Sequence, residues 1–195
     1  MPFDKQYYER FYSNPRTAVI TEGENRRRAE LIAAAVNYLE LPVRTILDAG
    51  CGMGLLRKPL LKAFKKAEYV GMEYSEYLCE RFGWHHGSVH SWRTSQRFEL
   101  VVCYDVLQYL NDRDAAKAIA NLARWCRGVM YFSALTREDW QENCEQEKTD
   151  KVLGLRAGNW YRRQLQKHFD PLGCGMWIKR GAPLLAWEMD KAPRI

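Results

Sequence analysis

The sequence predicts an α/β fold in which helices cover both faces of a doubly wound, mostly parallel sheet. Three observations predict it. Helical and strand-like apolar patterns alternate along most of the 195 residues, the order that a wound sheet requires. The apolar run Thr45-Ile46-Leu47 passes through Asp48 into a loop with glycine at every second position: Gly50, Gly52 and Gly54. A second short apolar strand, Tyr69 to Met72, ends in an acid, Glu73.

The elements follow in order. Tyr8, Phe11 and Tyr12 share one face of an N-terminal helix, with Tyr7 beside them and Arg16 further on. Arg26 to Leu41 has Ile32, Ala33, Val36 and Leu39 at helical spacing, and Pro42 closes that helix. The first strand and its glycine loop lead into a helix from Leu55 to Phe64. Ser75 is placed to cap a helix from Glu76 to Phe82, and a weak third strand runs from Trp84 to His86 into Gly87-Ser88. The fourth strand is Phe98 to Cys103, and Asp112 or Asp114 caps the helix that runs to Trp125. The fifth strand is Val129 to Ser133.

After it, Thr136-Arg137-Glu138-Asp139 has the form of a capping box. Gly154, Gly158 and Asn159 break the chain before a helix from Trp160 to Phe169, and strands are expected at Met176 to Lys179 and Leu184 to Met189. With no repeat or linker-like segment, residues 1–195 read as one domain. Residues 1–42 form N-terminal helices and a lid, 43–133 a ligand-binding core, 134–172 an insertion that caps the substrate, and 173–195 the closing strands.

Composition narrows the class. At 47% hydrophobic residues the chain can bury a real core. No apolar run reaches the roughly 18 to 20 residues of a membrane span, and Met1-Pro2-Phe3-Asp4 opens without a leader-like pattern. The six cysteines are scattered with no C-x-x-C pair, which argues against a zinc knuckle or disulfide framework and for a reducing cytoplasm. The four histidines lack metal-ligand spacing, so no metal is expected. The net charge of +6 is dispersed among Arg26-Arg27-Arg28, Lys65-Lys66 and Arg162-Arg163, with acids near each, and reads as a solvated face. Nucleic acid is a minority alternative.

The glycine loop identifies a ligand class. A dinucleotide turn is spaced G-x-G-x-x-G, whereas here the spacing is G-x-G-x-G with Leu55 at the third place; a P-loop needs G-K-[ST], which is missing. Asp48 at the mouth of the loop repels a pyrophosphate and suits a cation. S-adenosylmethionine, a nucleoside with a sulfonium and an ammonium, is such a ligand.

Asp48-Ala49-Gly50-Cys51-Gly52-Met53-Gly54 resembles the first motif of class I S-adenosylmethionine-dependent methyltransferases. Tyr69 to Glu73 and Phe98 to Leu107 are similar to the family's second-strand and fourth-strand motifs, in the same order and spacing. The resemblance implies a Rossmann-like sheet of seven strands, mostly parallel, with an antiparallel C-terminal hairpin. It implies S-adenosylmethionine as methyl donor and S-adenosylhomocysteine as product.

The same resemblance distributes roles. Gly50, Cys51, Gly52 and Gly54 run along the methionine part, while Asp48 orients the loop and the donor's amino group. Glu73 accepts from both ribose hydroxyls, and Tyr74 lies over the adenine. Where many members carry an acid after the third strand, this chain has Ser88, which makes a weaker neutral hydrogen bond, with the Val89 N–H directed to the adenine ring. Trp92 either covers the adenine or is a structural tryptophan. The backbone of Cys103 faces the methionine amine. Tyr104 and Asp105 are the catalytic candidates, Asp105 being either a general base or a structural acid, with acceptor positioning preferred.

Tyr8, Tyr12 and Arg16 are lid candidates over the donor. Gln108 and Tyr109, standing where related enzymes often have Glu-His, are acceptor-site candidates together with Trp160, Tyr161 and Arg162; the helix carrying the last three reads equally as core. Methyl transfer itself is an in-line displacement that depends mainly on alignment. The expected function is methylation of an oxygen or nitrogen of a small molecule. No [DNS]-P-P-[YFW] follows the fourth strand, and no Pro-Cys nucleophile is present. An RNA or protein methyltransferase is the alternative, and a non-catalytic module that binds the donor is the third reading.

Overall fold

The computed structural model of the chain describes residues 3–8, 21–147, 149–150 and 154–193. A short helix α1 (Lys5–Tyr8) and a long helix α2 (Glu22–Tyr38) precede the sheet. Helix α2 begins earlier than its apolar periodicity suggests, because its polar first turn is held by a reciprocal cap. Thr21 Oγ1 accepts from the Glu24 N–H at 3.2 Å, and the Glu24 carboxylate accepts from the Thr21 N–H at 2.7 Å. It ends at Tyr38, short of the expected Leu41, because Glu40 turns into the left-handed region with φ 52°.

The sheet comprises β1 (Thr45–Ala49), β2 (Glu68–Glu73), β3 (His85–His86), β4 (Phe98–Tyr104), β5 (Cys126–Ser133), β6 (Phe169–Gly173) and β7 (Met176–Lys179). Its order is β3-β2-β1-β4-β5-β7-β6. Strands β1 to β5 are parallel and β7 is antiparallel to both β5 and β6. The connecting helices are α3 (Arg57–Ala63), α4 (Glu76–Phe82), α5 (Asp112–Trp125), α6 (Arg137–Glu142) and α7 (Gly158–Leu165).

Alternation along the strands divides the core. Leu47, Val101 and Met130 face α5 in a cluster with Leu122, Trp125 and Tyr161. Ile46, Leu100 and Val129 face the other way, with Ile32 and Val36 of α2 and Leu60 of α3. Among the described residues, no helix is long and apolar enough to cross a membrane.

Two boundaries differ from expectation in ways that matter. The closing hairpin pairs β6 with β7, so Met176–Lys179 is a strand as expected, but its partner is Phe169–Gly173 and the segment from Leu184 to Met189 is not a strand. Three successive residues with positive φ, Gly173, Cys174 and Gly175, reverse the chain directly between the two strands. Phe169, expected at the end of a helix, is fully buried in the sheet instead. Helix α5 is capped by Asn111, whose Oδ1 accepts from the Asp114 N–H at 2.9 Å, in place of the expected Asp112 or Asp114.

Candidate active site

The strand order reverses between β2 and β4 on either side of β1, and the crevice outside the C-terminal ends of such strands is where open α/β sheets take ligands. Asp48, near the end of β1, sits between Gly71 of β2 and Val102 of β4. After it, the glycine loop is pinned to β2: the Gly50 and Cys51 N–H groups both donate to the Met72 carbonyl, at 2.7 and 3.1 Å. Gly50, Gly52 and Gly54 all have positive φ. At Gly52 an added Cβ meets nothing within 4 Å, so this position faces open space.

Trp84 supports the loop from beneath. Its indole Nε1 donates to the Gly52 carbonyl at 3.0 Å. A Cβ at Gly54 or Gly71 would come within 2.6 or 2.5 Å of its ring. Gly54 is therefore a packing residue, outside the cavity wall. Cys51 is buried, and its thiol is pushed upward by burial and by the nearby Asp48 and Glu73 carboxyls, so it is a poor nucleophile.

Glu73 ends β2 and is 7% exposed. One carboxylate oxygen accepts from the Gly52 N–H at 2.8 Å, and the other accepts from the Tyr74 and Ser75 N–H groups at 2.8 and 3.0 Å. Three backbone donors hold the carboxylate at the cavity wall. Asp48 is also buried; burial raises its pKa to about 7, against a lowering hydrogen bond from the Tyr69 hydroxyl at 2.5 Å and a further rise from Glu73.

These groups border a cavity of about 440 Å³. Gly50, Gly52, Glu73 and Tyr74 line one end, with Ser88, Val89 and His90 from the segment after β3. Ser88 Oγ is 2.7 Å from His90 Nδ1, while the Val89 side chain is buried in the core below. Tyr104, the last residue of β4, and Asp105, Val106 and Tyr109 after it line the other end. A smaller adjoining cavity is lined by Asp48, Cys51, Asn25, Tyr104 and Asp105. Cys103 is fully buried in β4 and reaches neither cavity.

Aromatic residues roof the space. Phe3 packs edge-on against Tyr7 and Tyr109 at 5.0 and 5.2 Å and against Tyr74 at 6.2 Å, and Tyr8 packs on Tyr7. The Phe3 carbonyl accepts from Ser75 Oγ at 2.5 Å, which ties the N-terminal segment to the end of β2. Tyr8 thus lies at the cavity, together with Phe3 and Tyr7. Tyr12 and Arg16 lie outside the described residues.

Asp105 adopts φ 54°, and its N–H donates to the Ser133 carbonyl at 3.0 Å. Burial raises its pKa, opposed by a hydrogen bond with Tyr104 and by the charge of Arg28. Arg28 of α2 lies 3.7 Å above the Tyr104 ring centroid and donates to the Tyr131 hydroxyl and to Asn25 Oδ1. Asn25 and Arg28 are site neighbours that the sequence reading missed. Arg28 is the last of three consecutive arginines read as solvated, and only its place on the helix face singles it out.

The remaining acceptor-site candidates divide. Tyr109 lines the cavity, but Gln108 is 3% exposed and turned inward, with its Oε1 lacking a hydrogen-bond partner. Trp160, Tyr161 and Arg162 do not reach this cavity. Tyr161 is buried in the core, where its hydroxyl accepts from Arg156 at 3.1 Å, and Trp160 packs against the same guanidinium at 5.0 Å. Arg162 donates to Asn159 on the surface. The physical reason is the buried Arg156, which donates to the carbonyls of Leu107 and Leu110 and to Asp112 and therefore draws α7 against the turn after β4. Trp92 packs on Trp125 at 5.2 Å and is structural.

The fold is a Rossmann-like α/β sheet of seven strands, mostly parallel with antiparallel C-terminal strands, and its switch point lies at the glycine loop. Residues 46–128, from β1 into β5, match the family model described as a methyltransferase domain. The chain is 25% identical over 118 residues to malonyl-[acyl-carrier protein] O-methyltransferase of Legionella pneumophila, covering 55% of this chain and 42% of that protein. It thus spans less than half the length of that curated relative. Among solved structures it is similar to the N-methyltransferase NodS of Bradyrhizobium japonicum, solved with S-adenosylhomocysteine, at TM-score 0.64 and 16% identity, covering 90% of this chain and 97% of that one. DesVI of Streptomyces venezuelae aligns at TM-score 0.60 and 16% identity, covering 80% and 91%.

Proposed function

We propose that the protein transfers a methyl group from S-adenosylmethionine to an oxygen or nitrogen of a small molecule. The observation that carries the reading is the continuous cavity from the Gly52 and Glu73 end to Tyr104, Asp105 and Tyr109, roofed by the N-terminal aromatic segment. Its volume of about 440 Å³ falls within the range of ordinary ligand sites. The residues fit the donor: Gly52 leaves backbone room, Glu73 brings paired acceptors to a diol, and Asp48 sets an anion near a cationic amino acid moiety.

In this reading Gly50, Cys51 and Gly52 border the methionine part, Ser88 and Val89 the adenine edge, and Tyr104 and Asp105 position the acceptor. A roofed aromatic cavity favours a small acceptor over a strand of RNA, because among the described lining residues there is no lysine or arginine to hold phosphates. A cytoplasmic setting accords with six cysteines that are all free thiols. Calorimetry with S-adenosylmethionine and S-adenosylhomocysteine tests the donor, and release of S-adenosylhomocysteine across a metabolite panel tests turnover. Absence of binding by both nucleosides overturns the reading; tight binding without turnover favours the non-catalytic module that binds the donor.

A further inference from the structure

We propose that the protein has a second ligand site, on the edge of the sheet opposite the crevice, and that it takes a soluble phosphate monoester carried on an apolar body. A cavity of about 760 Å³ lies where the chain enters β4 and β5 and leaves β7. The seven residues of β4, at roughly 3.3 Å each, put it about 20 Å from the crevice. A ligand here is therefore neither methyl donor nor acceptor.

Part of the lining is cationic: Arg97, Arg127, Lys179 and Arg180. Each of the four is anchored. Arg97 donates to the Cys126 carbonyl at 3.4 Å, Arg127 pairs with Glu99, Arg180 Nε lies 3.2 Å from Asp170 Oδ1, and the Lys179 ammonium is 5.4 Å from the Phe169 ring centroid. Glu99 is itself held by the Thr45 N–H and hydroxyl, at 2.8 and 2.7 Å, which gives Arg127 a fixed support. Two of the cations are thus answered by carboxylates and two are not. Among the described residues no carboxylate makes an ion pair with Arg97 or Lys179, and Glu40, the other acid of the lining, joins neither. Burial lowers the Lys179 pKa, and the like charges of Arg97 and Arg180 lower it further. A dianion among these groups matches the surplus of two, and the guanidinium forks suit phosphate oxygens.

The rest of the lining is mainly apolar, with Leu39, Leu41 and Pro42 from the segment after α2 and Leu184 and Leu185 from the segment after β7. Leu185 is 74% exposed. A bare phosphate leaves these side chains wet, whereas an alkyl or aryl body covers them. The volume suits a small molecule.

The test uses octyl phosphate, octyl sulfate, octylamine and inorganic phosphate on the full chain, with and without S-adenosylhomocysteine, at pH 8, where the phosphate monoester is a dianion. Each amphiphile is kept below the concentration at which it aggregates. Calorimetry is expected to show one octyl phosphate per chain, bound at least about tenfold more tightly than octyl sulfate or inorganic phosphate, and no binding of octylamine. Octyl phosphate that binds no better than any one of the three overturns the proposal. Arg97→Gln combined with Lys179→Gln is expected to weaken octyl phosphate at least about tenfold and to leave S-adenosylhomocysteine affinity unchanged. Undiminished octyl phosphate binding in that folded variant overturns the assignment to this cavity. If the double variant does not fold, Leu185→Ser serves: it is expected to weaken octyl phosphate about threefold, and unaltered affinity overturns the apolar part of the site. Co-sedimentation with phosphatidate vesicles that octyl phosphate fails to compete away overturns the soluble ligand.

Discussion

Glu73 does two jobs with one carboxylate. It ties together the glycine loop and the start of α4 through three backbone N–H groups, and it is the acid expected at the ribose. Glu73→Ala is therefore expected to weaken S-adenosylhomocysteine binding by about thirtyfold, near 2 kcal/mol. It should also lower the unfolding midpoint, because three backbone donors lose their acceptor. Calorimetry and a melting curve check the two effects together, and an unchanged dissociation constant would sink the ribose assignment.

Asp48 gives a pH prediction of definite sign. Its folded pKa is raised to about 7 from an ordinary value of 3.8, chiefly by burial. The unfolded chain loses this proton first, so the stability contribution is present in full below about pH 4 and declines as pH rises to about 7. Asp48→Asn should flatten stability over that window by up to about 4 kcal/mol. A cationic ligand beside Asp48 pulls its pKa back down, so binding of S-adenosylmethionine near pH 6.5 should release protons. Calorimetry in buffers of different ionisation enthalpy reads that release directly, and zero release would place the ammonium elsewhere.

At the scale of elements, the turn after β4 is held in place by Arg156. It connects the carbonyls of Leu107 and Leu110, which flank Tyr109, to Asp112 at the start of α5 and to Tyr161 of α7. Arg156→Met strands those buried acceptors and should cost about 3 kcal/mol of stability, measured by denaturant unfolding. The same substitution should loosen Tyr109 and reduce turnover more than donor binding. Strands β1, β2 and β4 were legible in the sequence because each is a nearly continuous apolar run between turn residues. Helix α7 was legible as a helix, but its place as core or as acceptor wall was not, because an amphipathic pattern shows which face is buried and not what it is buried against.

For the whole molecule, six free thiols at graded depth give a test of the packing. Cys174 is exposed in the β6-β7 turn, whereas Cys51, Cys103 and Cys126 are buried. Burial pushes the Cys126 thiol to about 12 and the Cys79 thiol to about 11, and both stay protonated at neutral pH. An alkylating reagent should modify Cys174 at once and the buried three only on unfolding, as peptide mass spectrometry would show. Reductant should leave the melting temperature unchanged.

The sequence by itself determined the end of the cavity that we propose takes the donor. The glycine loop, Asp48 and Glu73 are local signals: spacing and backbone conformation along short segments define them, and the strand order carries them to one sheet edge. The aromatic end of the cavity was decided only by the tertiary structure. Phe3 and Tyr7 meet Tyr109 across a separation of 102 residues in the tyrosine pair, and no periodicity links them. Their meeting is a property of packing, and it follows from the N-terminal segment lying over the turn that Arg156 holds.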